Sequence, residues 1–202
     1  MALATYADLL TQTANFLHRS DLTANIPDFV TLAESKINKG LRIREMETTT
    51  ASTMASGVIA VPANYVALKD AYLSSVSPYG NLTRKTAAYI LAKYPYRVAD
   101  KQPIYIGRQG SNFIFGPYPD SNYTVTLIYY NRLAALSSAV NTVFTAYPGL
   151  WLFGTLAESA PFIKDDKRVQ LWQLKFKELL DAVQDESDDE YLSGDVPQIN
   201  AA

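Results

Sequence analysis

The spacing of the apolar residues changes twice along this chain, and the change limits the fold more than any composition figure. Near the start, Tyr6, Leu9, Leu10, Thr13, Phe16 and Leu17 recur at helical intervals, and so do Ile26, Phe29, Val30, Ala33, Ile37 and Leu41. Thr5-Tyr6-Ala7-Asp8 has the spacing of a capping box, with Asp where Glu is commoner. A second helix starting at Asn25 would hold Pro27 and Asp28 in its first turn. The linker between the two, roughly residues 19–24, is short enough to predict an antiparallel pair.

In the middle the period falls to two. Residues 48–54 are β-branched and alternating, and Ala55-Ser56-Gly57 followed by residues 58–61 completes a hairpin signal. Residues 65–74 predict a further strand, and residues 86–94 a short helix capped by Thr86 and closed before Pro95. Three more strands are predicted at 104–107, 112–116 and 123–130, separated by Gln109-Gly110-Ser111 and Pro117-Tyr118-Pro119-Asp120 turns. The last carries large groups on both faces toward its end, which predicts a central, doubly covered strand.

Helical spacing then returns. Residues 148–163 form one segment that Pro161 should stop or kink. A final helix, capped by Asp165 or Asp166, carries Val169, Trp172, Phe176, Leu179 and Val183 on one stripe. Isolated helix pairs are marginal, so the expected fold is α+β: a four-helix bundle formed by the N- and C-terminal helix pairs, with an inserted antiparallel β-rich lobe and an extended acidic C-terminal tail. The corresponding segments are 1–47, 48–133, 134–187 and 188–202.

Charge divides the chain unevenly. Residues 178–202 carry eight acidic groups and no Lys or Arg, whereas residues 1–177 carry all 18 basic groups against 12 acidic ones. The net charge of −2 therefore conceals a basic body and an acidic end, the mark of a tail that finds a partner. Acids in the last turn have the wrong sign for the helix macrodipole, so the final helix is expected to fray near Asp185, with the remainder flexible until bound.

Much chemistry is excluded or unsupported. With no cysteine there are no disulfides or thiol sites, and His18, the one histidine, leaves no zinc constellation or histidine triad. No P-loop, GxGxxG or GxSxG pattern occurs. No cofactor, metal or catalytic residue is assigned. The longest apolar stretch, residues 150–163, is too short for a membrane span and contains Glu158 and Pro161. Glu158, on an apolar helix, is the best candidate for a perturbed acid, although a buried carboxylate bonded to an arginine is the plainer reading. Lys36, Lys39, Arg42 and Arg44 could form a nucleic-acid stripe, but Glu45 and Glu47 interrupt it and favour a salt-bridged face. Residues 89–97 (YILAKYPYR) are a weak stacking platform, more simply a packed helix end and interface patch.

An ordered set of stretches resembles the head-to-tail adaptor (connector) proteins of tailed bacteriophages, the family that includes tail tubular protein A. The set runs from Arg19-Ser20-Asp21-Leu22 and Ile26-Pro27-Asp28-Phe29 through Leu32-Ala33-Glu34, Ile37-Asn38 and Leu41-Arg42-Ile43-Arg44-Glu45-Met46-Glu47. It continues with Val61-Pro62-Ala63-Asn64-Tyr65, Tyr147-Pro148, Leu152-Phe153-Gly154, Leu156-Ala157-Glu158, Ala160 and Asp165-Asp166-Arg168 up to Trp172. The resemblance spans roughly residues 4–185 and rests on the order of the stretches, since none alone is diagnostic.

The resemblance implies a non-enzymatic virion protein assembled in the host cytoplasm, forming a homo-oligomeric ring of twelve copies. The ring would join the portal protein at the capsid vertex to a tail or nozzle protein, with genomic DNA passing through without sequence-specific binding. Its C-terminal extension would dock on the portal through Asp188, Asp189, Glu190, Tyr191, Leu192, Val196 and Ile199. Two other readings stay open, a phage-borne cell-wall muramidase acting through Glu158 and a nucleic-acid-binding module.

Overall fold

The computed structural model describes residues 3–163 and 167–192. In chain order the described elements are α1 (Tyr6–Leu17), α2 (Ile26–Gly40), a 3-10 turn (Arg44–Met46), β1 (Glu47–Thr53), β2 (Val58–Ala60), β3 (Tyr65–Leu73), β4 (Gly80–Asn81), β5 (Thr83–Arg84), α3 (Ala87–Lys93), β6 (Tyr105–Gln109), β7 (Asn112–Gly116), β8 (Thr124–Asn131), α4 (Thr142–Ala146), α5 (Pro148–Glu158), a second 3-10 turn (Ala160–Phe162) and α6 (Arg168–Leu192). The chain divides into two compact units, residues 1–45 with 133–202 and residues 46–132.

The first unit is helical. Thr5 caps α1 as its spacing predicts: its hydroxyl accepts from the Asp8 N–H at 3.1 Å, while the Asp8 carboxylate accepts from the Thr5 N–H at 3.0 Å. His18 ends α1 in the left-handed region, at φ 52°. The Asn25 side chain makes no capping bond to α2.

The expected four-helix bundle of terminal helix pairs does not form. A bundle needs four helices that each bury one stripe. Instead α5 buries Leu150, Trp151, Leu152, Gly154, Thr155, Leu156 and Ala157, positions that cover its whole circumference. It is a central helix on which α1, α2, α4 and α6 pack, and α1 and α2 pack on it more than on each other. The β content is also substantial, so the molecule is α+β with six helices and two four-stranded sheets among its described residues.

Gly154 permits the close approach of three helices: a Cβ there would lie 2.9 Å from Phe176 Cε2 on α6 and 3.2 Å from Ala33 Cβ on α2. Beside this contact, burial pushes the Glu34 carboxyl above its ordinary range, even though the Leu136 N–H, 2.7 Å from Oε1, and the Trp151 indole favour the charged form. The buried Trp151 N–H stops short of a well-aligned hydrogen bond.

The last helix also departs from expectation. It does not fray at Asp185 but runs through Leu192, so residues 188–192 are helical and not an extended tail. The capping candidates Asp165 and Asp166, and the anchors Val196 and Ile199, lie outside the described residues.

The second unit holds both sheets, ordered β1-β8-β3-β4 and β2-β7-β6-β5. β8 is central, as its pattern predicts, antiparallel to β1 with Thr50 opposite Leu127 and to β3 with Ala71 opposite Leu127. The hairpin expected at residues 55–57 is only a turn. Ser56 (φ 51°) and Gly57 (φ 68°) reverse the chain and Ala55 bridges Val58, but β1 then joins one sheet and β2 the other. Likewise the turn after β7 changes sheet before β8. Both sheets contribute to one core that includes Met54, Leu73, Ile106, Phe113, Phe115, Val125 and Leu127. Tyr65 meets Phe113 edge-on at 5.5 Å within it.

Candidate functional site

Glu158, the candidate for a perturbed acid, is ion-paired. Glu158 closes α5 with its side chain 13% exposed, and Lys36 Nζ stands 2.5 Å from Oε1. A lysine thus takes the place of the expected arginine, and the carboxylate is paired instead of poised. Among the described residues no group of three or more His, Cys, Asp and Glu is placed to hold a metal ion. No described helix is long and apolar enough to cross a membrane.

The basic stripe on and after α2 is likewise engaged with protein. Lys36 pairs with Glu158, and Arg44 lies 3.3 Å from Glu190. The Arg42 guanidinium donates to the carbonyl of Asn38 at 3.1 Å and to that of Leu41. Lys39 stays exposed.

These contacts also explain why α6 continues past Asp185. The Gln184 side chain clasps Arg42, accepting its N–H at 2.8 Å and donating to its carbonyl at 3.3 Å. The same amide donates to Asp188 at 2.9 Å, and the Arg44 N–H reaches the Ser187 hydroxyl at 3.2 Å. Tyr147 donates its hydroxyl to Glu186 at 3.0 Å. Its pKa is pushed up to about 12 by burial, then by that hydrogen bond, then by Glu186, Glu45 and Glu190. Tertiary partners therefore offset an unfavourable end charge. Asp188, Asp189 and Glu190 fall on this final stretch of α6, and Tyr191 and Leu192 are its last two residues. Asp185, Glu186, Asp189, Glu190 and Ala182 line a shallow acidic depression.

A second surface lies in the other unit, and residues 89–97 show only part of it. The end of α3 places Lys93 Nζ 5.1 Å from the Tyr105 ring and 5.7 Å from those of Tyr89 and Tyr94. Hydrogen bonding to Tyr105, then to Tyr89, holds the Lys93 ammonium above its ordinary range, and the same ammonium lowers the Tyr105 phenol. Arg84, Lys85, Thr86, Ala87, Tyr89 and Arg108 line an open depression. Arg84 and Arg108 come together because β5 pairs parallel with β6, Arg84 opposite Ile106. That pairing joins segments twenty residues apart in sequence, and no local pattern announces it.

Each unit thus presents one charged surface, acidic on α6 and basic with aromatic groups around residues 84–108. No curated protein matches the chain. A family model described as SU10 adaptor protein matches residues 4–198, nearly its entire length, so the chain belongs to this family of structural phage adaptors and is a virion component.

Proposed function

We propose that this chain forms, with further copies of itself, the ring that connects the portal at the capsid vertex to the tail or nozzle, with the C-terminal segment docking on the portal and DNA passing through. Twelve copies would match the ring number implied by the resemblance to tail tubular protein A-like adaptors. The role is structural and non-enzymatic. Asp188, Asp189, Glu190, Tyr191, Leu192, Val196 and Ile199 form the docking segment, acids guiding the encounter and apolar groups anchoring it.

One observation carries this reading beyond the family. The chain's most acidic stretch is the end of a 25-residue helix held by Arg42, Arg44 and Tyr147, so the docking segment begins on an anchored helix. Deletion of residues 188–202 tests it. The deletion removes the exposed Arg44–Glu190 pair and the exposed Gln184–Asp188 hydrogen bond, each worth about 1 kcal/mol or less, so the shortened chain stays folded. It should no longer attach to DNA-filled heads, and normal attachment would refute the docking role.

A further inference from the structure

We propose that the outward face of α6 docks on the basic and aromatic face of residues 84–108 in a second copy of this chain, a contact that presupposes the ring assembly proposed above.

The α6 face has two parts. Trp172 and Val183 are buried in their own unit, and positions 171, 174, 178, 181 and 185 fall together on the opposite side of a helix turning about 100° per residue. Leu171 and Leu174 stand 53% and 54% exposed there. Glu178 pairs with Lys175 at 2.7 Å, but Asp181 and Asp185 are exposed and without a basic partner among the described residues. They stand four residues apart, a like-charge spacing that disfavours the helix unless a cation lies across it.

The surface on residues 84–108 repeats this composition with the charge reversed. Tyr89, Leu91, Tyr96, Val98 and Ile104 are all exposed within sixteen residues of one another. Arg84, Lys85 and Arg108 line one depression with Tyr89, and Lys93 lines another with Tyr96, Val98 and Asp100; among the described residues none of these four cations has a carboxylate partner. Exposed apolar and tyrosine side chains beside arginine are the composition of a protein interface. A nucleic acid fits less well. Leu91, Val98 and Ile104 offer nothing to a phosphate backbone, and Tyr89 is already committed to Tyr105, edge-on at 84°.

Charge identifies the occupant as a second copy. Residues 46–132 hold eight basic and four acidic side chains, +4, leaving ten basic and sixteen acidic, −6, in the other unit. The chain thus carries both halves of a complementary pair in equal number. Because the two patches differ, the contact is head-to-tail, the kind that closes into a ring when the rotation allows.

The absence of cysteine makes the test direct. Chains carrying Lys85→Cys or Asp185→Cys are assembled into particles singly and as a mixture, then treated with a short bis-maleimide. The mixture should give covalent dimers several-fold above either single variant, and a chain carrying both substitutions should give a ladder. Lys85→Glu with Lys93→Glu should block assembly, and adding Asp181→Lys with Asp185→Lys should restore it. Rings seen in the particle without cross-linking above the single variants would overturn this contact alone. Cross-links to another virion protein would give the face to that partner, and absence of any ring would overturn both this contact and the ring reading.

Discussion

Gly154→Ala sets two effects of opposite sign against each other at the centre of the helical unit. Replacing an interior helical glycine by alanine gains about 1 kcal/mol of helix propensity. Against this, the new Cβ would stand 2.9 Å from Phe176 Cε2 and 3.2 Å from Ala33 Cβ. The Phe176 ring is the end of a half-buried side chain and can swing, whereas Ala33 is fully buried on α2 and can move only with its helix. Overpacking of this kind costs about 1–3 kcal/mol, so the expected net loss is about 1 kcal/mol. Both tryptophans, Trp151 and Trp172, lie in the helical unit, so intrinsic fluorescence during urea unfolding reports that unit. With a slope of about 2 kcal/mol per molar urea, the midpoint should fall by about 0.5 M. Phe176→Leu in the same chain should recover part of the loss. A midpoint that rises in Gly154→Ala would mean that propensity wins, and that α2, α5 and α6 are not packed as closely as described.

Trp172→Ala, at a side chain 4% exposed, should cost about 3–5 kcal/mol by the same assay, read through Trp151, and unchanged stability would refute its place in the core. For Glu34 the folded carboxyl sits above its ordinary value, so its neutral form is the one the fold favours. Its contribution is full below the unfolded pKa and is lost as pH rises through the folded one. Glu34→Gln keeps an acceptor for the Leu136 N–H and should flatten that decline. Its stability relative to the parent chain should rise from about pH 4 to pH 7, and a constant difference across that range would refute the assignment.

Legibility in the sequence followed the range of the interactions involved. The Thr5 capping box, the Thr86 cap and the stripe on α6 depend on neighbours within one or two turns, and each forms as its spacing predicts. β8 announced its central place because its own side chains are large on both faces. The turn at Ser56-Gly57 was equally local, but the sheet each flanking strand would join depended on β7 and β8, more than fifty residues away. The bundle expectation fails because a bundle helix buries one stripe, whereas α5 buries every side. The charges at the end of α6 predict fraying on their own, whereas Gln184–Arg42, Arg44–Glu190 and Tyr147–Glu186 hold it. Of the surfaces, the acidic end was plain in composition, whereas the basic face required β5 to meet β6.

The role proposed for this chain is that of a ring-forming connector. Cryo-electron microscopy of the native particle tests it most directly. The expected result is a closed ring of copies between portal and tail, with residues 188–202 of each copy lying against the portal. Finding the chain elsewhere in the particle, or as isolated copies with those residues away from the portal, would contradict it.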